Sequence, residues 1–90
     1  MKTAMQLKIT GLVHGVSFRA SMREVARHHN VTGWVRNVAD GSVEALIEGE
    51  EEDTRKVLEW TRWGPSGARA DSVHVERVAV GNLRGFAISG

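Results

Sequence analysis

A chain of 90 residues with one proline, no cysteine and a formal net charge of +1 makes one domain, of a size that buries about 60% of its unfolded surface. The missing cysteines exclude disulfide staples and thiolate metal sites, and twelve basic against eleven acidic residues leave no dense basic stripe for non-specific nucleic-acid binding. No apolar run is long enough to span a membrane, and Met1 to Gln6 hold no signal-peptide core, so a cytoplasmic protein without membrane or nucleic-acid partners is expected, a monomer in the simplest case.

Met5, Leu7 and Ile9 alternate with polar residues and predict a strand with one buried face. The string Gly11-Leu12-Val13-His14-Gly15-Val16-Ser17-Phe18-Arg19 comes next. It reads as a glycine-containing loop that a strand delivers to a helix start, where backbone N–H groups and the helix dipole favour an anion. Arg19 offers a planar, permanently charged fork that matches two phosphate oxygens. Two familiar phosphate loops are excluded. Gly15 is followed by Val16 and Ser17 instead of the Lys-Ser/Thr of a Walker loop, and the third glycine of a dinucleotide fingerprint is missing. Alone, the loop supports two readings: a cradle for a phosphoryl group, or a strand–helix turn using glycine for positive φ before a solvated arginine.

Phe18, Met22, Val25, Ala26 and His29 recur at helical spacing and predict a first helix ending near Asn30. Val31 to Val38 reads as a second strand, Asp40-Gly41 as a hairpin turn, and Val43, Ala45 and Ile47 as a third strand. The acids Glu48, Glu50, Glu51, Glu52 and Asp53 precede Val57, Leu58 and Thr61 and are expected in the first turn of a second helix. Consecutive carboxylates on a helix diverge, so a divalent-metal site is not expected there. His28 and His29, adjacent on the first helix, diverge for the same reason and form no metal pair. The second helix stops around Gly64-Pro65. Val73, Val75, Val78 and Val80 form a fourth strand whose change of phase suggests a bulge near Glu76 and Arg77. Asn82 to Gly85 is a turn, and Phe86 and Ile88 leave room for a short fifth strand.

The order β-α-β-β-α-β is the split βαβ, ferredoxin-like α+β plan, an antiparallel sheet with two helices on one face. Because that plan hosts many functions, function must come from the site. The RNA-binding sheet with the same strand order needs aromatics on its third strand. Ser42 to Glu48 has none and carries two acids. Strand alternation puts Gly33, Val35 and Asn37 on one face and Trp34 and Arg36 on the other, leaving Trp34 either under the helices or on the open face. Taken by itself, Asn37 is a local turn-former.

Ile9-x-Gly11-x-Val13-His14-Gly15-Val16-x-Phe18-Arg19 resembles the first signature of the acylphosphatase family. Gly33-Trp34-Val35-Arg36-Asn37, then Gly41, Val43 and Gly49, resembles the second, and Trp60-Thr61-Arg62-Trp63-Gly64-Pro65 with Ala68-Arg69 is also similar. The resemblance covers nearly all of the chain and implies a single acylphosphatase-like domain over residues 1–90. It implies phosphate binding by the loop Val13, His14, Gly15, Val16, Ser17, Phe18 and Arg19, with the Arg19 guanidinium, and positioning of the attacking water by Asn37. His14 stands where the family most often has Gln, which makes it a loop contact and not a base. Residues 86–90 lack the basic or aromatic tail common in relatives.

The implied substrate is a small acyl phosphate, with inorganic phosphate as product and inhibitor, and no cofactor or metal is called for. The leaving carboxylate departs without prior protonation, so neither paired carboxylates nor a strong general acid is required. An oriented water and donors to the phosphoryl oxygens suffice, each preorganised donor contributing about 3–4 kcal/mol at the transition state. Asn37 both accepts and donates hydrogen bonds but cannot act as a base, so the water's proton is expected to pass to a phosphoryl oxygen. The alternative is a non-catalytic phosphate-binding module on the same fold.

Overall fold

The computed structural model describes residues 1–89 and contains, in chain order, β1 (Lys2–Leu12), α1 (Phe18–His28), β2 (Thr32–Asn37), β3 (Val43–Glu50), α2 (Glu51–Thr61), β4 (Arg69–Val78) and β5 (Phe86–Ile88). The alternation read from the sequence sets the layers. Met5, Leu7 and Ile9 of β1 stand opposite Ile47, Ala45 and Val43 of β3, and these side chains form one buried floor. On it lie Phe18, Met22 and Ala26 of α1, one helical turn apart, and Thr54, Val57 and Thr61 of α2. Phe18 also meets Trp60 of α2, with ring centroids 5.2 Å apart. The buried Thr54 hydroxyl shares a 3.0 Å hydrogen bond with that of Thr3, fixing α2 along β1.

The strand order is β4-β1-β3-β2-β5. The first four strands are antiparallel as expected, but β5 pairs parallel to β2, so the sheet is mixed. Chain reach explains this. The seven residues between β4 and β5 extend to at most about 24 Å, and four strand spacings amount to about 19 Å. The segment therefore has no slack to return along the sheet, and β5 must start at the end where β4 stopped. Gly33 of β2 has φ +141°, and a Cβ there would lie 1.7 Å from the Leu46 carbonyl oxygen, so no side chain fits at this point of the β2–β3 pairing.

The crossing segment is held by Glu48. This side chain is 1% exposed, and its carboxylate accepts hydrogen bonds from the backbone N–H groups of Gly81 (2.6 Å) and Leu83 (2.8 Å). Glu48 and Glu50 thus do not join the first turn of α2, contrary to the expectation. The two-residue alternation of Val43, Ala45 and Ile47 continues through Glu50, and only Glu51, Glu52 and Asp53 occupy that turn.

The bulge in β4 also lies elsewhere than expected. Pairing with β1 is continuous from Ala4–Val78 to Thr10–Ser72, and the slip falls at Asp71, opposite Thr10 and Gly11. The change of phase has another cause. Arg77 occupies the helix-side position opposite Met5, at the rim beside Thr54 and Leu58, where an arginine stem can cover apolar surface while its head stays in water. Val80 lies beyond the end of β4.

Removing the Glu48 carboxylate leaves two backbone donors unpaired beneath the crossing. Glu48→Ala is expected to lower the unfolding free energy by about 2–3 kcal/mol, against under about 0.5 kcal/mol for the exposed Glu76→Ala. Urea denaturation measures both, and equal small effects would show that Glu48 does not hold the segment.

Candidate active site

Because β3 is antiparallel to both β1 and β2, and β5 is parallel to β2, the strands β1, β2 and β5 all run the same way. Their last residues Leu12, Asn37 and Ile88 therefore share one end of the sheet with the start of α1. The loop between β1 and α1 turns through two left-handed residues, Gly15 (φ 71°) and Ser17 (φ 61°). Ser17 is the residue before the helix, yet its side chain makes no capping hydrogen bond, and the first turn of α1 holds no acid. The first N–H groups of a helix have no intrahelical acceptor. The start of α2 is the opposite case, with three acids in its first turn.

Arg19 and Asn37 both line a cleft of about 430 Å³ at this end. Of the residues named from the sequence, Val13, Gly15, Ser17 and Phe18 line it as well. His14 and Val16 do not. Val16 packs against the core. The His14 ring turns to the hairpin, where its Nε2 donates to the Ser42 carbonyl at 2.8 Å. That carbonyl also accepts the Val38 N–H at 2.9 Å. His14 is thus a strut between the loop and the hairpin that carries Asn37. Ala20 and Ile88 complete the cleft wall. Sequence reading did not name them for the site, although the short alternation of Phe86 and Ile88 marked the strand that brings Ile88 there.

The hairpin turn is fixed by Asp40. Its Oδ1 accepts from the Ser42 hydroxyl (2.6 Å) and the Ser42 N–H (2.9 Å), and its Oδ2 accepts from Lys8 Nζ at 2.9 Å. The Ser42 hydroxyl, the Ser42 N–H and then Lys8 hold the Asp40 carboxyl well below the usual carboxylate range. Asp40 in turn raises the Lys8 ammonium above its usual value. Asn37 sits at the strand end just before this turn, and its Oδ1 is buried without a hydrogen-bond partner. A buried carbonyl oxygen left unpaired costs about 1–3 kcal/mol. It is a ready acceptor for a water or ligand in the cleft.

The other sequence candidates settle as follows. Trp34 lies on the open face of the sheet with the Arg36 guanidinium 5.6 Å from its ring centre, and Arg36 pairs with Glu44. The rings of His28 and His29 do not diverge as expected. They meet edge to face at 5.0 Å, because the chain leaves helical geometry at His29. Among the described residues no group of three or more His, Asp or Glu side chains could hold a metal ion. A second groove, at the far end of the sheet, is lined by Met1, Glu50, Glu51, Glu52, Asp53 and Arg55, four acids against two cationic groups. No helix among the described residues is long and apolar enough to cross a membrane.

A two-layer α+β fold in which a strand–helix loop, an arginine and an asparagine with an unpaired side-chain oxygen share one cleft suits a small enzyme of the phosphoryl-binding class. The family model for acylphosphatase matches residues 5–88. The chain is 49% identical to an acylphosphatase of Roseiflexus sp. (strain RS-1) over 81 residues, 89% of this chain and 87% of the relative. The structure of an acylphosphatase from Coxiella burnetii superposes with a TM-score of 0.94 at 33% identity, covering 98% of this chain and 93% of that one. That of an acylphosphatase from Bacillus subtilis superposes with a TM-score of 0.95 at 27% identity, covering all of both chains. The chain belongs to the acylphosphatase family, and its enzymatic activity is the hydrolysis of acyl phosphates.

The depressed Asp40 carboxyl gives the hairpin a defined response to acid. Its stabilising contribution is complete above the ordinary aspartate value near 4 and is lost as pH falls through the lower folded-state value. The melting temperature of Asp40→Ala should therefore lie below the parent's at neutral pH, and the gap should shrink as the pH falls below about 4. A gap independent of pH would show that Asp40 acts only through its shape.

Proposed function

We propose that the loop N–H groups from Val13 to Arg19, together with the Arg19 guanidinium, bind the phosphoryl group of an acyl phosphate while the Asn37 carboxamide orients the attacking water. The observation that carries this reading is the unpaired Asn37 Oδ1, in one cleft with Arg19 and an uncapped helix start. The water oxygen attacks phosphorus, and the bond from phosphorus to the carboxyl oxygen breaks. The carboxylate leaves with the bonding electron pair, and the water's proton passes to a phosphoryl oxygen. No side chain has to accept it, which suits a site whose water-orienting group is an amide. His14 serves as the strut described above. The reaction proceeds without a metal, because Arg19 and the backbone donors supply the positive field. We further propose that residues 1–90 act as one domain, as a cytoplasmic monomer without nucleic-acid or membrane partners. The balanced charge and the short, well-covered core support this part.

The test is hydrolysis of benzoyl phosphate with a metal chelator present. The parent should stay active, and Arg19→Lys should lose about 100-fold or more, since a point charge cannot reproduce the bidentate fork. Asn37→Ala should lower kcat by a similar factor while leaving inhibition by inorganic phosphate within about threefold. Phosphate binding without turnover in the folded parent would instead favour the binding module. A pH–rate profile for His14→Ala should keep every ionisation of the parent. Losing one near neutrality would make His14 the proton acceptor.

A further inference from the structure

The cleft has more wall than the reacting phosphoryl group needs. Gly15, Ser17, Arg19 and Asn37 are given to that group and to the water, and Val13 and Phe18 turn their side chains into the core. Ala20 and Ile88 remain, and both are exposed. An exposed isoleucine on a protein surface is ordinary. This one stands inside the cleft, on the face of the sheet that elsewhere forms the core.

Register shows why. Phe86 pairs with Gly33 and Ile88 with Val35, which places Phe86, Ile88 and Val35 on the helix side of the sheet. Phe86 is 3% exposed and Val35 fully buried, yet Ile88 is 36% exposed. It lies beside the start of α1, and there the helix adds only the methyl group of Ala20 to the wall. The position of Ile88 is nonetheless fixed. The Gly33 N–H donates to the Gly85 carbonyl at 2.9 Å, and the Ser89 N–H donates to the Val35 carbonyl at 2.8 Å, so β5 is tied to β2 on both sides of it. Asn37 is on the same face as Val35 and two residues further on, which sets the Ile88 and Asn37 Cβ atoms about 8 Å apart. An acyl chain attached to a phosphoryl group beside Asn37 reaches Ile88 over that distance. Arg19 is the one charged side chain among the described residues that line the cleft, and in the hydrolytic reading it holds the phosphoryl group. A carboxylate at the far end of the acyl chain would lose water against Ile88 and Ala20 and gain no donor in return.

We infer that Ile88 and Ala20 receive the acyl group, so that the enzyme selects acyl phosphates whose acyl chain is short, uncharged and apolar. The inference rests on the hydrolytic reading of the cleft. Ile88 determines specificity and takes no part in the displacement at phosphorus.

The experiment compares kcat/KM for acetyl, butyryl and succinyl phosphate in the parent, Ile88→Ala, Ile88→Val, Ile88→Leu and Val75→Ala. Butyryl and succinyl groups have the same number of carbons and differ in a terminal methyl against a terminal carboxylate. Ratios taken between variants cancel the intrinsic reactivity of each substrate. The parent should favour butyryl over succinyl phosphate by about tenfold or more. The butyryl-to-acetyl ratio should fall about fivefold in Ile88→Ala and about twofold in Ile88→Val, which keeps a branched strand residue. It should stay within about twofold in Ile88→Leu and in Val75→Ala, which removes an equally exposed apolar side chain outside the cleft. A ratio unmoved by Ile88→Ala and Ile88→Val, in enzymes that still hydrolyse acetyl phosphate, would overturn this inference alone. So would a parent that takes succinyl phosphate as well as butyryl phosphate. A parent inactive on all three substrates would overturn the hydrolytic reading and this inference together.

Discussion

The left-handed bend at Gly15 and Ser17 is the constraint around which the rest of the molecule is arranged. It converts the end of β1 into the start of α1 within five residues and starts the helix without a side-chain cap from Ser17. Glycine adopts such a φ freely, but serine does so at a cost of about 1 kcal/mol or more. A conformation of that kind persists only where its surroundings allow no other. Here Val13 and Phe18 are buried on either side of the bend, Val16 packs on the core, and His14 is tied to Ser42. Four of the seven loop residues thus have their side chains committed elsewhere. These contacts fix the shape of the backbone, and the proposed electrostatic stabilisation of a transition state needs such preorganisation.

The Ser42 carbonyl extends this order to the second half of the site. By accepting both the Val38 N–H and the His14 ring, it locks the hairpin turn and the cradle to the same atom, with Asp40 and Lys8 behind it. Arg19 and Asn37 are far apart in sequence but have a short physical connection through this point. Charge is sorted along the same axis. The acids Glu50 to Asp53 gather at the far end of the sheet, and Arg19 at the start of α1 lines the cleft.

What could be read in the sequence is what depends on local pattern. Alternation in β1 and β3, helical spacing from Phe18 to Ala26, and the loop with its arginine all express short-range geometry, and they appear in the structure where the residues put them. The errors share a different origin. Glu48 looked like part of an acidic helix start because its burial depends on a segment more than thirty residues away crossing above it. The parallel direction of β5 follows from the reach of that same crossing, which no local pattern records. The bulge was misplaced because Arg77, a polar residue on the helix side, broke an apolar alternation without breaking the strand. Motif spacing singled out Arg19 and Asn37, and the fold brings both to one cleft. The strut role of His14 could not be read in this way, since it is defined by a carbonyl on a distant turn.

A chain this small can support catalysis because the reaction demands so little of its core. A general acid with a shifted pKa needs a dry, low-dielectric pocket, and desolvating a charge costs several kcal/mol that a small core supplies poorly. A carboxylate leaving group removes the need for such an acid, and an amide that orients water carries no charge to desolvate. In the proposed site the positive field comes instead from backbone donors, which every helix start possesses, and from a guanidinium whose charge survives any local dielectric. The fold's task is then geometric: to hold one loop in an otherwise unfavourable shape and to bring one asparagine beside it. Buried strands β1 and β3, the Ser42 tie and the Glu48 clamp on the segment that leads to Ile88 each serve that task. The polar interactions the molecule does bury, Glu48 among them, therefore stand at the joints of the scaffold, while the proposed reacting centre is left to uncharged donors and one arginine.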